Sequence, residues 1–308
     1  MSALLPLVQT ALELGLISSL TVLALFLSYS MLNVCDLSTD GCFTLGAAVG
    51  AVVAISGHPY LSILAAMGAG ILSGFVTAFL QTKMGVESLL AGIIVNTALY
   101  SVNIAVMGNS SILNMNKTET IFTKLQAVCK NTALANQYKL IAIIIAVILV
   151  SLFLALFLKT RLGLAIRATG NNPDMVKSSS INPVMTTIVG LCVANAFTGL
   201  SGCLLAQSQK SVNIDIGSGM VTVALASLLI GGTFVRKRNI PLRIVGVILG
   251  SFVFRLVYTI ALRFNMPAYM LKMVSSIIVI IAISGPYLKS RYPELLRRLE
   301  VRKGGRDA

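Results

Sequence analysis

The chain has 308 residues, 56% of them apolar and only 11% charged, with 24 Lys and Arg against 10 Asp and Glu for a formal charge of +14. A soluble globular domain carries roughly 25% charged residues, so this chain has too few to cover a water-exposed surface. The positive balance would suit nucleic acid, but no Lys or Arg precedes Lys83 and most of the rest sit between apolar runs or in the tail; that is positive-inside topology, and no nucleic-acid partner is expected.

The apolar residues fall in runs near 11–32, 42–56, 60–81, 88–108, 139–158, 184–206, 219–234, 242–262 and 270–288. Runs of about 15 to 25 residues match a helix crossing a hydrocarbon layer about 30 Å thick. In lipid the backbone must satisfy itself within the segment, so the runs are helices. The expectation is an all-α, polytopic integral membrane bundle of about 8–10 transmembrane or half-spanning segments. It forms a single transmembrane domain over 1–288, followed by a basic tail, 289–308. The N-terminus lacks a basic region and its first run contains Glu13, which predicts an uncleaved first helix.

Runs 42–56 and 219–234 are short, spanning about 22–24 Å as ideal helices. Each follows a polar, Gly-containing approach: Asp36-Leu37-Ser38-Thr39-Asp40-Gly41 and Asp215-Ile216-Gly217-Ser218-Gly219. Alternate counting sends them in opposite directions. Such a pair points to inverted repeats with a pathway between them; equally, their small residues suit close helix packing. Asn96, Asn103 and Asn195 lie inside runs and should face protein rather than lipid, bonding across helices or lining a polar path. Arg255, deep in a run, needs a partner or a water-filled cavity.

Orientation follows from the basic residues. Lys159, Arg161, Arg167 and Lys177 occupy the 159–183 loop, Arg236, Lys237, Arg238 and Arg243 the 235–243 turn, and Lys289, Arg291, Arg297, Arg298, Arg302, Lys303 and Arg306 the tail. All three fall on one side, which should be the cytoplasm, so the C-terminus is cytoplasmic, and the 109–138 loop and N-terminus external.

Residues that could do chemistry do not converge. The sole His58 sits in a Gly57-His58-Pro59 turn, the five cysteines show no metal-ligand spacing, and no Gly-x-x-x-x-Gly-Lys-Ser/Thr phosphate loop occurs. No chain of acidic residues lies at mid-membrane, as an ion-coupled carrier usually shows. Concentrative transport would therefore draw its energy from another subunit. In the 159–183 loop, Asn172 can cap a helix, Pro173 suits its first position and Asp174 its positive end. A short surface helix is predicted there, and Asn182-Pro183 repeats the device before the next span.

Three stretches carry a resemblance to a known family. They are Asp36-Leu37-Ser38-Thr39-Asp40-Gly41 with Leu45-Gly46-Ala47; Arg161-Leu162-Gly163 through Arg167-Ala168-Thr169-Gly170-Asn171-Asn172-Pro173; and Ala224-x-Ala226-Ser227-Leu228-Leu229-Ile230-Gly231-Gly232-Thr233. In order and spacing the chain resembles permease subunits of ATP-binding-cassette importers of the ribose and branched-chain amino-acid class. It is nearest to those encoded with tryptophan/tyrosine-type binding proteins. It departs at Asp40, where Gly or Val is usual, and at Val235-Arg236-Lys237, where the family often has a Gly-rich turn.

The resemblance implies a second permease copy (a homodimer), a cytoplasmic ATPase dimer that holds the ATP and Mg, an external substrate-binding protein, and a bacterial plasma membrane. The permease itself would carry no cofactor, metal or catalytic residue. Arg167, Ala168, Gly170, Asn171, Asn172, Pro173 and Asp174 would couple to the ATPase, so Gly170→Arg or Arg167→Glu should uncouple it. Asp36, Ser38, Thr39, Asn96, Asn195 and Ser227 would line or flank the translocation path. The solute would be an amino acid, aromatic or branched-chain, with a simple sugar as the alternative; a self-sufficient carrier or channel is the competing class.

Overall fold

A computed structural model describes residues 4–129, 137–235, 239–263, 273–281 and 284. The basic tail 289–308 and Arg236, Lys237 and Arg238 lie outside the described residues. Of the expected run 270–288, residues 273–281 and 284 are described, and they are helical.

The chain folds as α1 (Leu4–Leu25), continued by a π-helical segment Phe26–Met31, α2 (Thr39–Ile55), α3 (Leu61–Thr82), α4 (Ser88–Val106), β1 (Ile112–Asn114), α5 (Ile121–Cys129), α6 (Tyr138–Phe157), α7 (Arg161–Asn171), α8 (Pro173–Ser178), α9 (Pro183–Gln209), β2 (Ser211–Asn213), α10 (Met220–Phe234) and α11 (Ile240–Arg263). Six helices among the described residues are long and apolar enough to cross a membrane: Val8–Met31, Leu61–Thr82, Ser88–Val106, Tyr138–Phe157, Pro183–Gln209 and Ile240–Ala261. The two segments read as short are short: α2 and α10 have 17 and 15 residues.

α9 is the central post. Its 27 residues extend about 40 Å, and it is the most buried span, packed by α2, α3 and α1. Glycines let the backbones touch. A Cβ at Gly46 of α2 would fall on the Gly199 carbonyl, one at Gly70 of α3 on the Asn195 carbonyl, and one at Gly202 of α9 on the Phe43 carbonyl. Lipid tails offer no hydrophobic drive between helices, so close approach of this kind supplies much of the cohesion.

The bundle has two distinguishable ends. At one, β1 pairs antiparallel with β2, Leu113 opposite Val212. The loop 109–138 is therefore not a plain polar loop; it holds a strand and α5, whose first N–H is accepted by Gln207 Oε1 at 3.0 Å. The strand's partner lies about a hundred residues away, which local pattern cannot reveal. At the other end stand α7 and α8. Thr169 bonds Thr186 there, hydroxyl to hydroxyl at 2.8 Å, and a Cβ at Gly170 would strike the Met31 carbonyl. α1 runs from the ribbon end to the loop end, antiparallel to α11: Gly15 lies against Phe252, and Phe26 lies under Arg243.

Gly68 and Gly70 share α3 but not an environment: nothing lies within 4 Å of a Cβ at Gly68. Gly70→Ala should destabilise the bundle by about 1–3 kcal/mol through overpacking, whereas Gly68→Ala should hold or raise stability through helix propensity. Thermal unfolding of the two variants in detergent measures the contrast.

Candidate translocation site

The chain leaves the π-helical segment through Asn33, whose φ of +57° is tolerated by Asn, and reaches α2 by a short irregular stretch that ends in a turn. Asp36 organises that stretch. Its Oδ1 accepts from the Ser38 backbone N–H at 2.9 Å and the Ser38 hydroxyl at 2.6 Å; its Oδ2 accepts from Asn195 Nδ2 at 2.8 Å. Thr39 donates its hydroxyl to the Asp36 carbonyl at 2.9 Å, and Thr77 of α3 donates to Ser38 Oγ at 3.2 Å. Asp36, Ser38, Thr39 and Asn195 are all buried. These four residues form one network that fixes the start of α2 halfway along α9. Low dielectric strengthens such a network when its members are paired.

One turn on, Asp40 does the same for the other short helix. Its Oδ2 accepts from Gly219 N–H at 2.9 Å and its Oδ1 from Val221 N–H at 2.8 Å, the first donors of α10. Those groups have no intrahelical partner, and a carboxylate at a helix N-terminus is favoured by the backbone dipoles. Thr44 Oγ1 accepts from Gly217 N–H at 3.2 Å, completing the junction. Asp40 also stands in the first turn of α2, so one carboxylate serves two helix N-termini. From this junction the helices diverge. α2 runs toward the ribbon end, where Ala54 clusters with Met115 and Val212; α10 runs toward the loop end, where Val235 lies beside Arg243.

A polar cavity of about 330 Å³ opens at the junction, lined by Asp40, Thr44, Asn96, Thr97, Asn103 and Asp215 among others. Asn96 is half-buried there, and Asn103 donates to the Gly41 carbonyl at 3.2 Å. Ser227 stands elsewhere. It is buried, its hydroxyl donates to the Val223 carbonyl, and its own carbonyl marks the contact with Gly250 of α11. Arg255 has its partners, Nε donating to Ser18 Oγ at 3.0 Å and the guanidinium lying 5.6 Å from the Tyr258 ring centroid.

The 159–183 loop forms two helices rather than one. Thr160 caps α7, accepting from Gly163 N–H at 3.2 Å; Asn172 caps α8, accepting from Asp174 and Met175 N–H at 3.1 and 3.0 Å. Asn182 caps α9 in the same way through Val184. Arg167, Ala168, Gly170 and Asn171 lie in α7, with Pro173 and Asp174 opening α8. The buried face of α7 carries Gly163, Ile166 and Thr169; Leu162 and Leu164 are exposed, as is Met175 of α8.

A family model described as the branched-chain amino acid transport system permease component matches residues 7–283. The chain belongs to that family. This permease is similar, at 31% identity over 86% of both chains, to the tyrosine transport system permease protein of Clostridioides difficile. It is 29% identical to the nucleoside ABC transporter permease protein NupB of Lactococcus lactis over 54% of this chain and 49% of that one. Against the ribose import permease protein of Escherichia coli K12 it is 24% identical over 80% and 75%. No solved structure matches. The permease is thus a multi-pass membrane subunit of an ATP-binding-cassette importer.

Asp40, Thr44 and Asp215 at the junction are among the side chains outside the residues that the sequence nominated. Asp40 was visible only as a departure from the family pattern, and Asp215 only as part of a polar approach; neither signal pairs residue 40 with 219–221. Asp40→Ala should cost about 0.5–2 kcal/mol, the usual worth of an N-cap, and Asp36→Ala about 1–3 kcal/mol by orphaning buried donors. Thermal unfolding gives the totals, and amide exchange at 219–222 should accelerate in the Asp40 variant alone.

Proposed function

We propose that the permease carries an amino acid, aromatic or branched-chain, through a path flanked by the α2–α10 junction, with two copies, a cytoplasmic ATPase dimer and an external substrate-binding protein making up the transporter. The likeness to a tyrosine permease along 86% of both chains carries the substrate class; the nucleoside and ribose relatives make nucleosides and sugars the competing solutes. The cavity fits a small polar solute, because it presents Asn and Thr side chains and two carboxylates at the place where two half-spanning helices begin. Asp36, Ser38, Thr39 and Asn195 would hold the junction's frame, and Asn96 would face the solute. Ser227 would act at the α10–α11 seam that flanks the path.

By this reading the loop end is cytoplasmic, in a bacterial plasma membrane, with the C-terminus on the same side. α7 and α8 receive the ATPase. Leu162 and Leu164 of α7 and Met175 of α8 are exposed, as are Asn171, Asn172 and Asp174, with Arg167 half-buried, so the two helices offer both apolar and polar side chains for a protein contact. Ala168, Gly170 and Pro173 shape the two helices beneath it. Gly170 packs on the permease's own backbone, so Gly170→Arg would lift α7 off the bundle and is a poor probe of docking.

The decisive variant is Leu164→Glu with Met175→Glu, which touches only exposed positions. In proteoliposomes with ATPase and binding protein, it should lower solute-stimulated ATP hydrolysis by about tenfold or more, since burying an unpaired charge in a contact costs several kcal/mol, while leaving the permease's melting temperature unchanged. Uptake of labelled tyrosine, leucine, a nucleoside and ribose by the unmodified complex identifies the solute. Uptake of ribose or nucleoside in preference to either amino acid would overturn the substrate class, and uptake by the permease without the ATPase would overturn the subunit assignment.

A further inference from the structure

Two cavities meet where α6 ends and α11 begins. The first, about 440 Å³, is lined by Lys159, Arg167, Asn239, Ile240, Pro241 and Arg243. Three cations from three separate segments converge on it, and no carboxylate does. Among the described residues the ion pairs are Lys124–Glu119 and Lys177–Asp174, so none of the three is paired. Arg243 is held in place, its guanidinium 5.2 Å from the Phe26 ring centroid, and close enough to Arg167 for the two to repel. Like charges gathered at a half-buried site without a counter-charge are unfavourable. The N-terminus of the 24-residue α11 adds further positive potential at the same spot. An anion relieves all of these at once.

The second cavity, about 400 Å³, is an apolar groove between α6 and α11, floored by Leu16 of α1 and walled by Ile148, Leu152 and Ala155 on one side and Val245 and Ile248 on the other. Pro241 borders both cavities, so groove and basic site adjoin. From Pro241 to Ile248 the groove follows α11 for about 10 Å. The apolar spans Tyr138–Phe157 and Ile240–Ala261 both terminate at the basic cavity. It therefore stands at the height where hydrocarbon gives way to headgroups.

We propose that this crevice binds an anionic phospholipid, its phosphate held by Lys159, Arg167 and Arg243 and an acyl chain lying in the groove between α6 and α11. Basic pockets between transmembrane helices suit lipid phosphates; the attached apolar groove is what distinguishes a lipid from free phosphate, which would fill only the first cavity. The proposal stands apart from the coupling assignment, because its readout is lipid retention and its variants leave Arg167 intact.

The full-length permease is equilibrated with nanodiscs of mixed phosphatidylcholine and phosphatidylglycerol, and retained lipid is counted by native mass spectrometry. Phosphatidylglycerol should be retained over phosphatidylcholine. Lys159→Gln with Arg243→Gln should lower its retention roughly 25-fold, about fivefold per charge. Val245→Trp, at an exposed position in the groove, should lower retention with no change of charge, and it remains informative if the double variant folds poorly. Equal retention of the two lipids, or unaltered retention in both variants, overturns the proposal. So does displacement of the lipid by inorganic phosphate with Val245→Trp having no effect, which would make the site one for free phosphate. Weakened ATPase capture by the double variant in phosphatidylcholine alone, with phosphatidylglycerol retention unchanged, would instead assign the cavity to an acidic protein side chain and overturn it as well.

Discussion

A helix that begins inside a membrane must find acceptors for its first backbone N–H groups, and water is not there to supply them. α2 and α10 begin at one junction beside the middle of α9, a helix long enough to span, and the fold is arranged around meeting that requirement. Two carboxylates four residues apart meet it: Asp36 ties the entry of α2 to Asn195 on the central post, and Asp40 accepts from Gly219 and Val221. Irregular backbone at membrane depth is tolerated only where protein or a polar cavity satisfies it, and here both conditions hold side by side. The polar cavity therefore belongs with the helix starts. On the proposed reading, the groups that make a broken helix feasible in lipid are also those that a polar solute would meet.

Around that junction the helices pack closely. α9 is contacted through glycine by α2 and α3, so these three helices share backbone-to-backbone contacts, and a second set joins α10 to α11 where Gly231 meets Gly246 and Gly250 meets Ser227. Arg255 lies at the edge of this second set, its charge spread between Ser18 and the face of Tyr258. The outward faces of α3, α4 and α6 carry large exposed apolar residues such as Leu72, Ile94 and Leu149, as lipid-facing helices should.

Much of this was legible in the sequence, for reasons that differ by element. Long apolar runs give spans because run length and bilayer thickness are both fixed quantities. Asn172-Pro173-Asp174 and Asn182-Pro183 announce caps because the donors they satisfy lie two or three residues away. The shortness of α2 and α10 was visible in the same way. What could not be read were contacts between distant positions: Asp40 with residues 219–221, Ile112 with Asn213, Gly170 with the Met31 carbonyl. Asn195 and Asn96 were correctly suspected of facing protein, yet only the fold shows that one is locked to Asp36 while the other is half-free on a cavity. Ser227 sat in a family-like stretch, but a helix face cannot be assigned from a run that is apolar all round, and its side is the one toward α11.

The Asp40 bridge has a consequence for how the chain can vary in length. The segment 214–218 joins β2, which is pinned to β1, to the first turn of α10, which is pinned to Asp40. Adding or removing one residue there would rotate α10 by about 100° and carry Val221's N–H away from its acceptor. Asp215 and Ser218 are exposed, and exposed loops ordinarily absorb insertions with ease. This one is anchored at both ends, and Gly217 within it lies against the Asp40 carbonyl, so its residue count is held fixed.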